Sequence, residues 1–141
     1  MKRSIVVLVA AMLVLAACQA PATPQPAILK VTSGGNQVAA FSGADINKMT
    51  AVEADYTGKD GTVTRYKGFA MKDALVKPGI TDANVITLVA ADGYTAEVSG
   101  KDLLACQGCM LVFQDGGGLR SVMPGMSSKL QVKDLVEIQV K

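Results

Sequence analysis

The chain has 141 residues, of which 50% are hydrophobic, and a formal net charge of +2. It contains no histidine and no tryptophan, which excludes Ser-His-Asp and Cys-His catalysis, histidine-ligated metals and c-type haem. Removing Lys2 and Arg3 from the 14 basic residues leaves 12, which equals the 12 acidic residues. This balance, without a basic run in the rest of the chain, argues against nucleic acid as a partner.

The N-terminal segment predicts export. A pair of basic residues precedes a 13-residue apolar run, Ile5–Ala17, which is shorter than the about 20 helical residues needed to span a bilayer but is typical of a signal peptide. Leu15–Cys18, "LAAC", resembles the bacterial lipobox, in which the signal is cut before a cysteine that then carries lipid. We therefore predict a lipoprotein signal peptide over residues 1–17 and lipidation of Cys18. The alternative is an ordinary secretory signal followed by an unmodified cysteine.

A proline-rich linker follows the predicted cleavage point. Residues 18–27 include "QAPATPQPA", a composition that favours extended, polyproline-like backbone. Several acyl chains on Cys18 would give near-permanent attachment to the membrane. By analogy with lipoproteins, Gln19 lacks the aspartate that retains such proteins in the inner membrane. We expect an extracytoplasmic, lipid-anchored protein, on the periplasmic face of the outer membrane if the source is Gram-negative.

Short strands and small helices are predicted along the folded domain, residues 28–141. "AILKVTS" and "QVAAFS" are strands around a "GGN" turn, and "SGADINKM" is a short helix capped by Ser42, with Ile46 and Met49 facing the core. "TAVEADYTG" and "TVTRYKGFA" are strands on either side of Asp60-Gly61, a strong hairpin signal.

The second half of the domain continues this pattern. "FAMKDALVKPG" predicts a helix with Met71, Ala74 and Leu75 on one face, ended by Pro78-Gly79. "NVITLVAADG" predicts a buried strand, "YTAEVS" its partner, and "SGKDLLAC" a single-turn helix capped by Ser99. "MLVFQD", "LRSVMP" and a long final strand, "LQVKDLVEIQVK", complete an α+β domain. The prediction is a mixed, mostly antiparallel β-sheet domain with a few short helices.

Cys106 and Cys109 in "ACQGCM" are compatible with a redox pair, a metal clamp or a disulfide staple. Cys106 follows the predicted helix, and the partial negative charge of a helix C-terminus disfavours a reactive thiolate. A four-residue turn brings its ends within about 7 Å, which suits a disulfide. Such pairs usually oxidise outside the cytoplasm. A disulfide is therefore the first prediction.

A metal site is the alternative at the same place. Its candidate ligands are soft sulfur donors of the kind that suit Cu(I): Cys106, Cys109, Met110, Met123 and Met126. Methionines in alternating strands more commonly fill a core.

Three stretches carry a resemblance to a known family. "YKGFAMKDAL" is similar to its "tGvpLrdLL" element, and "VITLVAADGYTAEVSGKDLL" to its strand, "DGY" turn, strand and helix. "DGGGLRSVMPG" with "LQVKDLVEIQV" is similar to its "GgPLRLvvPG…sVKwLtrIeV". Over residues 28–141, in order, the chain resembles the molybdopterin-binding domain of the sulfite oxidase family.

The resemblance implies candidate ligand-binding residues and a loss. Arg120 matches the arginine of "PLR", and Lys133 matches the lysine of "sVKwL". Tyr56 falls roughly where the family's enzymes place their molybdenum-ligating cysteine, and a phenol with a pKa near 10 does not readily replace a soft thiolate. The family's pterin-contacting histidine and its longer segment before "YKGFA" are also missing.

These observations predict a lipid-anchored binding or accessory module on a sulfite-oxidase-type scaffold, without its own molybdenum centre, and leave open whether it is an enzyme. Its expected partners are the membrane, through the lipid anchor, and an envelope protein. The alternative is a molybdopterin-dependent oxidoreductase or a subunit of one. A second alternative is an envelope thiol-redox or copper-handling protein that uses Cys106 and Cys109.

Overall fold

A computed structural model describes residues 23–141. The predicted signal peptide, the lipidation residue Cys18 and the first part of the linker lie outside the described residues. Within them, no helix is long and apolar enough to cross a membrane. The described chain forms an α+β domain with nine strands, three short α-helices and one 3-10 helix, so the predicted fold class is confirmed at that level.

The elements follow one another closely along the chain. In order they are β1 Ala27–Ser33, β2 Asn36–Ser42, α1 Gly43–Ile46, β3 Ala51–Thr57, β4 Val63–Ala70, α2 Met71–Val76, β5 Val85–Ala90, β6 Thr95–Ser99, α3 Gly100–Ala105, β7 Met110–Phe113, β8 Leu119–Val122, the 3-10 helix Ser128–Leu130 and β9 Leu135–Val140.

The strands form two sheets. The first has the order β2-β1-β9-β5-β6, in which β1 and β9 are parallel and the other neighbours antiparallel. The second has the order β3-β4-β7-β8 and is antiparallel throughout. Between β3 and β4, the side chain of Asp60 accepts hydrogen bonds from the N–H and hydroxyl of Thr62, and Gly61 takes a φ of +80°. The hairpin predicted at Asp60-Gly61 is therefore confirmed.

Both sheets and all three helices contribute to one hydrophobic core. The predicted core positions Ile46, Met49, Met71, Ala74 and Leu75 are all buried. They pack in the same cluster as side chains of the first sheet and of the second, including Leu29, Ile86, Leu88, Ile138, Leu111 and Leu119. Burying each large aliphatic side chain stabilises the fold by about 1.5–3 kcal/mol relative to leaving it exposed.

Serine caps begin two of the helices, as predicted. Ser42 accepts a hydrogen bond from the N–H of Asp45, and the Asp45 carboxylate accepts one from the N–H of Ser42. This reciprocal pair satisfies two donors that a helix start leaves open. Ser99 caps α3 by accepting from the N–H of Asp102.

The predicted long final strand is wrong in its first half. The strand begins only at Leu135, and the residues before it form the 3-10 helix Ser128–Leu130 and a loop. The hydroxyl of Ser121 donates to the carbonyl of Leu130 at 2.5 Å and accepts from the N–H of Val132 at 2.8 Å. Leu130 and Val132 are buried although they lie in the 3-10 helix and the loop rather than in a strand. Their alternating burial explains why the sequence pattern of this segment is like that of a strand. Asp134, with a φ of +49°, cannot continue a strand.

Candidate functional site

Arg120 and Lys133, two of the three residues singled out by the family resemblance, line the same groove. It encloses about 480 Å³ beside the β7–β8 turn and is also lined by Tyr66, Gln114 and Asp115. We call it the basic groove. Arg120 reaches it from β8, Tyr66 from β4 and Lys133 from the loop before β9.

Strand register explains why Tyr66 and Arg120 share a face of the second sheet. Phe69 of β4 pairs with Leu111 of β7. Leu111 belongs to the hydrophobic core, and Phe69 packs against it. Tyr66, three residues from Phe69, and Val112, next to Leu111, therefore lie on the opposite face. Arg120 pairs with Val112 across β7 and β8, so it lies on that outer face too.

The guanidinium group of Arg120 is positioned by an aromatic ring. Its Cζ lies 5.2 Å from the ring centroid of Tyr66, a cation–π distance. The Nε of Arg120 is buried and has no hydrogen-bond partner in the structure. A buried donor without a partner carries a desolvation cost, and a ligand oxygen could remove that cost after a rotation of the Arg120 side chain that uncovers Nε.

Tyr56 does not line the basic groove, but its ring packs against that of Tyr66, which does. The ring centroids of Tyr56 and Tyr66 are 6.4 Å apart, with an interplanar angle of 62°, an edge-to-face arrangement that aromatic pairs favour. The three candidates from the resemblance thus gather around Tyr66, a residue that sequence reasoning missed. The alternation of side chains along β4 could have identified Tyr66, because it places this side chain on the outer face of the sheet. Tyr66 pairs with Ala54 of β3.

Gln114 holds the segment that carries Lys133. Its side-chain carbonyl accepts a hydrogen bond from the N–H of Asp134 at 2.9 Å. The backbone carbonyl of Asp134 accepts a hydrogen bond from the N–H of Ala91. These bonds fix the backbone next to Lys133 while its side chain stays exposed.

The positive charges of strand β4 are paired with carboxylates of β3, whereas those of the basic groove are not. Arg65 and Lys67 form ion pairs with Glu53 and Asp55 at 3.0–3.4 Å. A hydrogen bond from Lys67 and its positive charge lower the pKa of the Glu53 carboxyl, and the hydrogen bond with Asp55 raises the pKa of Arg65. The hairpin charges therefore neutralise one another.

Arg120 and Lys133, by contrast, form no ion pair with any of residues 23–141. Asp115 is the acidic residue among the lining side chains, so counting Arg120 and Lys133 against Asp115 gives the groove a formal charge of +1. A guanidinium group offers a fork of donors that matches carboxylate and phosphate oxygens. The groove is suited to an anionic ligand.

The cysteine pair lies elsewhere. The Sγ atoms of Cys106 and Cys109 are at disulfide distance, 2.06 Å apart, and their Cα atoms are 5.5 Å apart. Cys106 is the C-cap residue of α3, as predicted, and it is half-buried, whereas Cys109 is 1% exposed.

Cys106 lines a cavity of about 580 Å³, together with Met126, Glu97 and Asp102. We call it the sulfur cleft; it is a shallow, open depression rather than an enclosed pocket. The Sδ of Met126 lies 4.0 Å from the Sγ of Cys109. Among residues 23–141, no group of three or more His, Cys, Asp or Glu is placed to hold a metal ion.

The other two methionines considered as ligands are inaccessible. Met110 and Met123 are both 0% exposed, and Met123 belongs to the hydrophobic core. The structure thus places one of the three candidate methionines, Met126, beside the cysteines at the cleft.

The donor set at the basic groove does not fit a molybdenum ion held through a protein thiolate. The side chain that would correspond to the ligand is the phenol of Tyr56, and the two cysteines of residues 23–141 are paired with each other and line a different cavity. A soft metal-dithiolene centre of that kind calls for a thiolate. We therefore derive no reaction step through molybdenum.

No model of a known protein family matches the chain, and no curated protein is significantly similar to it. The functional assignment therefore depends on the residues and distances described above.

Proposed function

We propose that the protein is a lipid-anchored, extracytoplasmic binding module with a sulfite-oxidase-like scaffold and no molybdenum centre of its own. The basic groove is its binding site, and an anionic small molecule or an anionic group of an envelope protein partner is its ligand. Two observations carry the proposal: Arg120 and Lys133 line the same groove, and the Nε of Arg120 is buried without a hydrogen-bond partner.

The arrangement supports binding rather than catalysis. Tyr66 holds the guanidinium group in one orientation, which reduces the entropy lost when a ligand oxygen is bound. Lys133 adds a flexible second charge at the rim. Histidine, the commonest general base, is absent from the whole chain.

Anion-dependent stabilisation tests the groove. The protein, extracted from membranes in detergent, is heated with inorganic phosphate, sulfate or citrate at constant ionic strength. A ligand that binds only the folded state raises Tm by mass action. We expect at least one anion to raise Tm relative to chloride in the wild-type protein. Arg120→Lys, which keeps the charge but loses the fork, should weaken the effect, and Lys133→Met should weaken it too.

Lys101→Met is the matched control, because Lys101 is an exposed lysine on α3 that does not line the groove. The same shift in wild type, Arg120→Lys and Lys133→Met would contradict the groove as the site. The absence of any anion-specific shift would contradict an anionic ligand.

Elemental analysis tests the missing metal centre. Natively purified protein is expected to contain no stoichiometric molybdenum. Stoichiometric molybdenum would favour the alternative, a molybdopterin-dependent oxidoreductase or a subunit of one. The observation on which that alternative depends is that Cys106 lines a cavity of about 580 Å³.

The membrane anchor is tested separately. Wild-type protein should fractionate with membranes and carry lipid on Cys18 in an intact-mass measurement, whereas Cys18→Ser should be released into the soluble fraction. An unlipidated wild-type protein in the soluble fraction would overturn the anchor without bearing on the groove.

A further inference from the structure

Cys106 and Met126 line the sulfur cleft, and the buried Cys109 lies next to both of them. Met126 approaches Cys109, which is joined to Cys106 across a four-residue turn. We propose that, once the cysteine pair is reduced, the sulfurs of Cys106, Cys109 and Met126 bind one Cu(I) ion. This site is independent of the basic groove.

The spacing of the sulfurs suits a metal ion. With metal–sulfur bonds of about 2.3 Å, two ligand sulfurs of a tetrahedral or trigonal site lie about 3.8–4.0 Å apart. Cys109 and Met126 are already separated by 4.0 Å. The Cα atoms of Cys106 and Cys109 are 5.5 Å apart, so rotation of the Cys106 side chain after reduction can supply the third sulfur without moving the backbone.

The donor set selects the ion. Two thiolates and a thioether are soft ligands, which favour Cu(I) over harder divalent ions. The chain has no histidine to offer a borderline nitrogen ligand. Glu97 and Asp102 line the same cleft and are exposed, and their negative charges would raise the local concentration of cations.

Accessibility distinguishes Met126 from the other methionines. Met126 is half-buried at the cleft, so its sulfur can meet an incoming ion. Met110 and Met123 are fully buried, and neither of them lines the cleft. The structure therefore reduces five candidate ligands to three.

Reduction of the disulfide precedes metal binding. An external dithiol reduces the disulfide by thiol–disulfide exchange: two electrons and two protons reach the cysteine sulfurs, and the dithiol becomes a disulfide. Cu(I) then displaces both thiol protons to solvent and keeps its oxidation state.

Competition for Cu(I) tests the site. Detergent-extracted protein is reduced with a phosphine under anaerobic conditions, separated from the reductant and mixed with the coloured Cu(I)–bicinchoninate complex. We expect the reduced protein to withdraw one Cu(I) per chain and the oxidised protein to withdraw none. Met126→Leu should weaken binding about 10–100-fold, as for the loss of a metal-site contact.

Met123→Leu is the matched control, because it replaces a nearby core methionine by a residue of similar volume and should leave Cu(I) affinity unchanged. Copper K-edge absorption of the loaded wild-type protein should show a shell of three sulfurs at about 2.3 Å. Equal affinity of reduced and oxidised protein, full affinity of Met126→Leu, an equal loss in Met123→Leu, or nitrogen and oxygen in the shell would each overturn the proposal.

Discussion

The guanidinium group of Arg120 lies over the ring of Tyr66, with Cζ 5.2 Å from the ring centroid. The ring of Tyr56 meets Tyr66 edge-to-face at 6.4 Å. Three strands, β3, β4 and β8, thus contribute to one stack on the outer face of the second sheet. The stack determines where the charge of Arg120 is presented.

This contact predicts an energetic coupling between Tyr66 and Arg120. In a double-mutant cycle of Tyr66→Leu and Arg120→Met, we expect a coupling of about 0.5–1 kcal/mol, the range for a cation–π pair near the surface. Urea denaturation of the four proteins measures it. Tyr66→Phe keeps the ring and should retain most of the coupling, whereas effects that add to within about 0.3 kcal/mol would contradict the contact.

The packing of β4 against β7 predicts a strong effect at Gly68. A Cβ there would collide with the carbonyl oxygen of Leu111 and approach the side chain of Val112. The Leu111 carbonyl belongs to the backbone, so it cannot move aside as the end of a flexible side chain can. Gly68→Ala should therefore lower the free energy of unfolding by about 1–3 kcal/mol or more.

Gly116→Ala is the control for that substitution, because a Cβ at Gly116 meets nothing within 4 Å and the residue has no positive φ. Its effect should stay within about 0.5 kcal/mol. Equal stability changes in the two variants would show that β4 and β7 are not paired as described.

The ion pairs of the β3–β4 hairpin predict an acid-dependent stability. The hydrogen bond and charge of Lys67 lower the pKa of Glu53 below its ordinary value of 4.5. A carboxyl whose folded-state pKa is lowered stabilises the fold above its unfolded pKa, and the contribution disappears as pH falls through the folded value. The stability difference between wild type and Glu53→Gln should therefore be largest above pH 4.5 and shrink at lower pH.

Salt provides the control for this prediction. The partners Arg65, Lys67 and Glu53 are all exposed, and at 1 M salt the screening length is only about 3 Å. The difference between the two proteins, measured by urea denaturation, should diminish in 1 M sodium chloride. A difference that is independent of both pH and salt would contradict an ionic contribution.

The cysteine pair predicts a disulfide in protein purified in air. Intact-mass analysis with alkylation should label Cys106 and Cys109 only after reduction. On the chain-entropy model, closing so short a loop stabilises by about 2 kcal/mol, and replacing both cysteines by alanine should cost about that amount. Two thiols that react with the alkylating agent without reduction would show that the pair is not oxidised.

Local signals in the sequence predicted most of the elements. The serine caps at Ser42 and Ser99 and the turn at Asp60-Gly61 are contacts between near neighbours in the chain, and the structure forms each of them. The segment 130–134 was assigned wrongly because its alternating burial depends on the hydroxyl of Ser121, a contact that local periodicity cannot reveal.

The candidate site could be predicted only in part. The family resemblance supplied Arg120, Lys133 and Tyr56, but it gave no reason to single out Tyr66, which joins them through strand pairing between distant segments. The sulfur-bearing residues left a soft-metal site near Cys106 as the alternative to a disulfide, but the sequence did not separate Met126 from the buried methionines. That distinction depends on packing across the whole domain.

The position of β9 has a consequence for how the chain folds. This strand, the last along the described chain, lies at the centre of the five-stranded sheet, between the β1–β2 and β5–β6 hairpins. Neither hairpin can pair with β9 until that strand has been synthesised, so the sheet cannot assemble progressively from the N-terminus. A chain that emerges gradually would keep two incomplete sheet edges exposed until β9 is available, and such exposed edges favour pairing with other chains.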